Sequence, residues 1–265
     1  MRTEEGYFGE PWSAEELAYL HANYAKMPAK DIAAHLGRSY NATIIRGRLE
    51  GLSSYHRSGV RSLVPNYFKT IDTPTKAYLL GLLAADGSIS TRGQVALALN
   101  EKDSELVGFA RDNIAPSARL GSYLTQEGNT MVTFKVQNAE LVADLAKWSV
   151  TNRKSLTVTW PDLPADIARS YLHGYFDGDG SLYPKWMYRW ALTSGSRNFL
   201  TAVQKFTLDE AGVKVGGPYP DRRGRAYSIV ATGEPVRTLD AWLQQDGLGL
   251  ARKRLPGTGL PNYSG

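Results

Sequence analysis

The chain has 265 residues, no cysteine, 42% apolar residues and a formal charge of +5 from 31 basic and 26 acidic side chains. The apolar fraction excludes a disordered chain, and the absence of cysteine excludes a disulfide scaffold, a thiolate metal site and a cysteine nucleophile. No apolar run approaches the ~20 residues of a membrane span, and residues 1–9 carry Glu4 and Glu5 in place of a signal-peptide core, so a soluble cytoplasmic protein without a membrane partner is expected.

Charge is unevenly placed near the start. Residues 1–29 hold two basic and five acidic side chains, whereas residues 30–61 hold six basic and two acidic ones. A first helix is expected after Ser13, with Glu16 three residues on and Trp12 able to pack on Leu17. A second fits Lys30 to Leu36, ended by Gly37. Ser39 can cap a third that carries Ala42, Ile45 and Leu49 at helical spacing. Three short helices with a glycine turn before the last suggest a helix-turn-helix over residues 1–53. Residues 54–66 have turn composition and read as a linker.

From there the chain repeats itself. Residues 79–88 read LLGLLAADGS and residues 172–181 read LHGYFDGDGS; ELVADLAKW at 140–148 returns as EPVRTLDAW at 234–242. Asn152-Arg153-Lys154-Ser155-Leu156 likewise has a later partner in Ala251-Arg252-Lys253-Arg254-Leu255. Three pairs in one order make two copies of one unit, residues 67–160 and 161–265. Each copy opens with a helix at a proline, Pro74 with Thr73 as cap and Pro164 in the same role, and that helix ends at Asp86-Gly87 or Asp179-Gly180. Strands are expected at Val95–Leu99, Arg119–Thr125 and Met131–Val136, then at Trp186–Thr193, Val213–Tyr219 and Ala226–Ala231. Helices fit Ser104–Asn113, Glu140–Trp148, Ser196–Ala211 and Val236–Gln244. The fold class is α+β: two pseudo-symmetric α-β-β-α-β-β-α units, each an antiparallel sheet with helices on one face, behind a small all-α domain.

The chemistry lies in the first helix of each copy. Gly81 and Ala85 are four apart, as are Gly174 and Gly178, so each helix has a small-residue stripe that lets another backbone approach. The expected partner of one such helix is the other. Asp86 and Asp179 stand in the last turn, where the helix dipole disfavours an acid, and the packing brings the two carboxylates together. Local rules broken twice at equivalent places mark a functional site. Paired carboxylates, backbone carbonyls and water suit Mg²⁺ and in-line phosphoryl displacement.

LLGLLAADG and LHGYFDGDG resemble the two signature helices of the LAGLIDADG homing endonucleases. The resemblance implies a monomer whose two sheets form a saddle over double-stranded DNA. It also implies Mg²⁺, with Mn²⁺ or Ca²⁺ able to take the same place, on Asp86 and Asp179 and on the backbone carbonyls of Ala85 and Gly178. Gly81 and Gly174 form the helix interface, and Lys135 and Glu101 serve near the metals in one half only. Ala84 departs from the family's usual aspartate, which Asp177 supplies in copy two. The DNA-facing set is Arg92, Gln94, Arg119, Tyr123, Gln126, Arg153 and Lys154 in copy one, and Lys185, Arg189, Arg222, Arg223, Arg225, Arg252 and Lys253 in copy two. On the strand from Lys185, alternation turns Lys185, Met187 and Arg189 to DNA and Trp186, Tyr188 and Trp190 to the helices. Residues 12–52 resemble Myb/SANT-like modules, which places Tyr40, Asn41, Thr43, Arg46 and Arg48 on the exposed face of its last helix; protein–protein contact is the alternative role. The expected activity is site-specific double-strand cleavage of a long target. The alternatives are a non-cleaving DNA-binding regulator and an RNA maturase that binds an intron transcript. Met1 and the ending Asn262-Tyr263-Ser264-Gly265 lack the residues of intein splicing, and a free-standing or intron-encoded chain is expected.

Overall fold

The computed structural model describes residues 11–52, 63–183 and 187–256. The chain divides into two compact units, Met1–Val60 and Arg61–Gly265. Residues 54–62 of the expected linker 54–66 lie outside the described residues, as do Lys185 and Trp186.

The first unit holds three helices, α1 (Ala14–Asn23), α2 (Ala29–Leu36) and α3 (Tyr40–Leu49). A capping box opens α1: Ser13 Oγ accepts from Glu16 N and the Glu16 carboxylate accepts from Ser13 N. Gly37 ends α2 at φ +64°, a left-handed conformation that costs glycine little. Ser39 caps α3 through Ala42 N. Leu20, Tyr24 and Ile32 form the core, with Trp12 packed at its edge. The register of α3 differs from the expectation. Its inward residues are Thr43 and Gly47, while Leu49 is 68% exposed. The reason is the Tyr24 ring: a Cβ on Gly47 would lie 2.1 Å from it, so only the side lacking a side chain can turn inward. Thr43, expected on the exposed face, is therefore buried.

The second unit contains both repeats. Copy one runs α4 (Pro74–Ala85), β1 (Gly87–Ile89), β2 (Gln94–Asn100), α5 (Ser104–Ile114), β3 (Gly121–Leu124), β4 (Thr130–Gln137) and α6 (Ala139–Lys147). Copy two runs α7 (Ala165–Asp179), β5 (Gly180–Tyr183), β6 (Arg189–Ser194), α8 (Arg197–Ala211), β7 (Gly216–Pro220), β8 (Tyr227–Thr232) and α9 (Pro235–Leu243). The sheets have the same topology, β1-β2-β4-β3 and β5-β6-β8-β7, antiparallel throughout. Strands β1 and β5 complete the expected α-β-β-α-β-β-α order, but the sequence offers no range for them, because three or four residues starting straight from the helix leave no alternation to read. Thr73 caps α4 through Lys76 N, but Pro164 occupies the N-cap of α7 and not its first turn, so α7 has no side-chain cap.

On β2, Val95, Leu97 and Leu99 point inward, and Leu97 faces Phe134 of β4. Trp190 of β6 is fully buried and stacks on Phe176 at 5.0 Å, while its neighbour Arg189 is exposed. Helix α5 packs on β2 and β4, and α8 on β6, β7 and β8. One continuous apolar cluster runs through both copies, centred on α4 and α7. Among the described residues no helix is long and apolar enough to cross a membrane.

Candidate metal and phosphodiester centre

Helices α4 and α7 touch backbone to backbone. A Cβ on Gly81 would stand 2.0 Å from Tyr171 O, and one on Gly174 would stand 1.9 Å from Tyr78 O. One turn on, Gly178 meets the Ala85 methyl, and a Cβ there would approach Asp86 Oδ2 to 3.0 Å. Asp86 caps the end of α4 and Asp179 is the last residue of α7. The close crossing thus delivers both carboxylates to one place.

Solvent reaches both aspartates, yet protein crowds them on most sides. Burial, followed by the Asp179 charge, pushes the Asp86 carboxyl up to about 6, against the pull of Lys253 and Lys154. Asp179 is also raised by burial, which Lys154, Lys253 and the Tyr175 hydroxyl oppose.

Those two lysines are the main correction to the sequence reading. Lys154 and Lys253, expected on DNA phosphates, are buried and turned inward. Lys154 Nζ donates to Ala85 O at 3.0 Å and to Gly87 O. Lys253 Nζ donates to the carbonyls of Phe176, Asp177, Gly178 and Gly180 at 3.1, 2.6, 3.2 and 2.8 Å. An ammonium at a helix C-terminus satisfies its orphan carbonyls and opposes its negative pole. Burial lowers both lysine pKa values, and the aspartates hold them up.

Lys135 and Glu101 do not take the places expected of them. Lys135 is exposed on β4 opposite Ala96, and Glu101 is exposed in the 3₁₀ turn Glu101–Asp103. The charges acting on Asp86 are Asp179, Lys253, Lys154 and Asp103; neither Lys135 nor Glu101 is among them. The resemblance points to a basic residue on the strand before α6, whereas the lysines that act on Asp86 follow α6 and α9, where the chain turns back to the helix ends. Asp103 is buried and holds Arg252, whose Nε reaches Oδ1 at 2.8 Å and whose terminal nitrogen reaches Oδ2. Arg252, expected on phosphate, is thus engaged within the protein, although half of its side chain meets solvent.

The other expected contacts lie on the surface. Arg92, Arg119, Gln126, Arg153, Arg189, Arg222, Arg223 and Arg225 are exposed, Tyr123 is 47% exposed and Gln94 is half-buried. Asp221 Oδ1 accepts from Arg223 N and Arg225 N at 3.2 and 2.8 Å, which folds the hairpin tip and leaves its guanidinium groups outward. In the first unit Tyr40, Asn41 and Arg48 are exposed, while Arg46 is half-buried and pairs with Glu50 at 2.7 Å.

The helix pair also holds a polar asymmetry. Tyr78 and Tyr171 are equivalent, 93 residues apart like Gly81 and Gly174. Tyr78 OH donates to Asp177 Oδ2 at 2.6 Å. Its counterpart Tyr171 OH is buried and has no partner among the described residues, because the matching acceptor position is Ala84. Tyr78→Phe is expected to cost about 2 kcal/mol and Tyr171→Phe about zero, since only the first removes a made bond to a charged group. Paired thermal melts measure the difference.

A hard divalent cation fits the centre. It would find two mutually repelling carboxylates, and each carbonyl of Ala85 and Gly178 keeps a second lone pair beside its lysine bond. Among the described residues no group of three or more His, Cys, Asp or Glu side chains could hold a metal, so further ligands would be carbonyls, water or substrate oxygens.

Fold and site together define a two-repeat α+β protein with a carboxylate pair where its central helices end. No family model matches the chain. It is 28% identical over 163 residues, 61% of its length, to an A-type ATP synthase subunit of Methanopyrus kandleri, and spans 15% of that protein. Solved structures similar to it include the homing endonuclease I-WcaI bound to its DNA recognition sequence, with a TM-score of 0.47 and 10% identity over 72% of this chain and 89% of that one. The N-terminal LAGLIDADG domain of DUF199/WhiA gives a TM-score of 0.45 and 13% identity over 69% and 90%.

Proposed function

We propose that the chain is a divalent-metal-dependent endonuclease of the LAGLIDADG type that cuts both strands of a specific DNA duplex as a monomer. The observation that carries this reading is the Asp86–Asp179 pair at the ends of two helices whose glycines pack against each other's backbone. No structural role accounts for two adjoining acids at the negative poles of two helices. Mg²⁺ bound there would activate water and stabilise the leaving oxygen.

The chain's own residues do the rest. Asp86 and Asp179 supply the anionic ligands. Lys154 and Lys253 balance their charge and keep it concentrated at the crossing. The water gives up one proton to solvent as its oxygen bonds to phosphorus, the bond from phosphorus to the deoxyribose oxygen breaks, and that oxygen takes up one proton from solvent. Arg92, Arg119, Arg153, Arg189 and the Arg222–Arg225 hairpin suit phosphate and groove contacts on the sheet side, with Gln94, Tyr123 and Gln126 beside them. Lys185 belongs to this set by sequence. Residues 1–53 act as a helix-turn-helix, in which Tyr40, Asn41 and Arg48 face the duplex; residues 54–66 are the linker, and 67–160 and 161–265 the two catalytic repeats.

The test is digestion of a supercoiled plasmid library with randomised inserts. In Mg²⁺ a subset is expected to become linear, with none linearised in EDTA. Selective binding of library members without linear or nicked product in Mg²⁺ or Mn²⁺ would make the chain a DNA-binding regulator.

A further inference from the structure

We infer that Asp177 is a positioning residue that fixes Lys253 over the aspartate pair, and that the half of the centre served by Lys154 lacks this device. The inference deepens the nuclease reading and rests on it for its catalytic part. Asp177 Oδ2 accepts from Tyr78 OH at 2.6 Å, across the helix interface, and from Leu250 N at 2.9 Å. Leu250 is the residue just before the 3₁₀ turn Ala251–Lys253. One buried carboxyl therefore ties α4, α7 and the lysine-bearing loop together, while Lys253 Nζ donates to the carbonyl of the same residue at 2.6 Å.

The loop is seated closely. A Cβ on Gly249 would lie 2.3 Å from His173 Nε2 and 2.8 Å from Asp177 Oδ2, and the glycine adopts φ +103°. Arg254 donates to Leu248 O at 2.8 Å, and Arg252 grips Asp103. With its loop so held, Lys253 reaches four carbonyls and all three of its N–H groups are committed.

Copy one keeps the turn bond from Lys154 N to Thr151 O that matches Lys253 N to Leu250 O, but departs at the side chains that brace it. Ala84 stands where Asp177 does, and Tyr171 OH is left without an acceptor among the described residues. Ser196 stands 93 residues after Asp103, spends its hydroxyl on Phe199 N, and provides no carboxylate for Arg153. Among the described residues Lys154 meets two carbonyls, those of Ala85 and Gly87, against four for Lys253. The halves are thus unequal: Lys253 is held by four carbonyls and a braced loop, Lys154 by two carbonyls.

Hydrogen exchange and strand-resolved cleavage test this on the full-length protein. In wild type, the Leu250 amide is expected to exchange slowly. In Asp177→Ala it should exchange at least about tenfold faster, which is the loss of one buried hydrogen bond to a charged acceptor. Asp177→Ala/Tyr78→Phe removes the orphaned hydroxyl and keeps the experiment readable if the single variant folds poorly. Asp177→Asn, whose amide oxygen can still accept, should restore slow exchange.

On a plasmid carrying the selected site, Asp177→Ala/Tyr78→Phe should slow cutting of one strand by about 10–100-fold, the usual effect of losing an outer-shell partner. The other strand should be cut at the wild-type rate and binding in Ca²⁺ should be unchanged. Unaltered Leu250 exchange, or equal slowing of both strands, overturns the inference. If wild type cuts nothing, the nuclease reading falls, and the exchange data alone decide whether Asp177 holds the loop.

Discussion

Asp86→Asn and Asp179→Asn are each expected to lower DNA cutting in Mg²⁺ by about two to three powers of ten or more, the scale of losing one preorganised electrostatic contact at a reacting phosphate. Stability should move the other way. In the metal-free protein Asp86 titrates at about 6, above the ordinary carboxylate value, because burial and the Asp179 charge disfavour its ionised form. The native state therefore binds more protons than the unfolded chain between roughly pH 4 and 6, and stability falls as pH rises through that window. Asparagine has no such charge. The melting temperature of Asp86→Asn at pH 8 without metal should equal or exceed that of wild type, whereas a structural aspartate would show a loss. Plasmid cleavage and metal-free melts at pH 5 and pH 8 are the two measurements. Cutting at the wild-type rate by either variant removes the centre from the reaction.

The largest loss of stability is expected from a side chain at the helix crossing. In Gly174→Val the new Cβ meets Tyr78 O, and in Gly81→Val it meets Tyr171 O, at distances near 2 Å that force backbone apart. Overpacking a core costs about 1–3 kcal/mol where side chains can shift. Here both neighbours are backbone, so we expect about 4 kcal/mol or more and a melting temperature lower by about 10 °C. The control is Gly108→Ala on α5, where nothing lies within 4 Å of the added Cβ; it should be neutral or stabilising by about 0.5–1 kcal/mol. A Gly174→Val melt matching the control would mean that α4 and α7 do not cross as described.

Much of this architecture is legible from one dimension because it is written twice. Gly81 with Ala85 and Gly174 with Gly178 lie at helical spacing, so each of these helices announces a bare stripe, and the two stripes stand at equivalent positions of the two copies. Alternation on Val95–Leu99 likewise survives in the observed strand. Where the pattern is too short, as on β1 and β5, or where a neighbour's shape decides, as the Tyr24 ring does for Gly47, periodicity has nothing to read.

The two aspartates stand out in the sequence because each breaks a local electrostatic rule at a helix end, and such a conflict is visible without knowing what lies nearby. The lysines do not stand out in that way. A basic pair after a helix is indistinguishable, residue by residue, from a solvated one. Only the path of the chain back under α4 and α7 turns Lys154 and Lys253 from surface cations into buried partners of the helix carbonyls. The same holds for Asp177, Tyr78 and Leu250, which are 99 and 73 residues apart in their pairings. Local chemistry follows from neighbours in sequence, and that was enough to locate the acids. Which charges balance them, and that the two halves do so unequally, depends on contacts between distant segments that exist only once the core has closed.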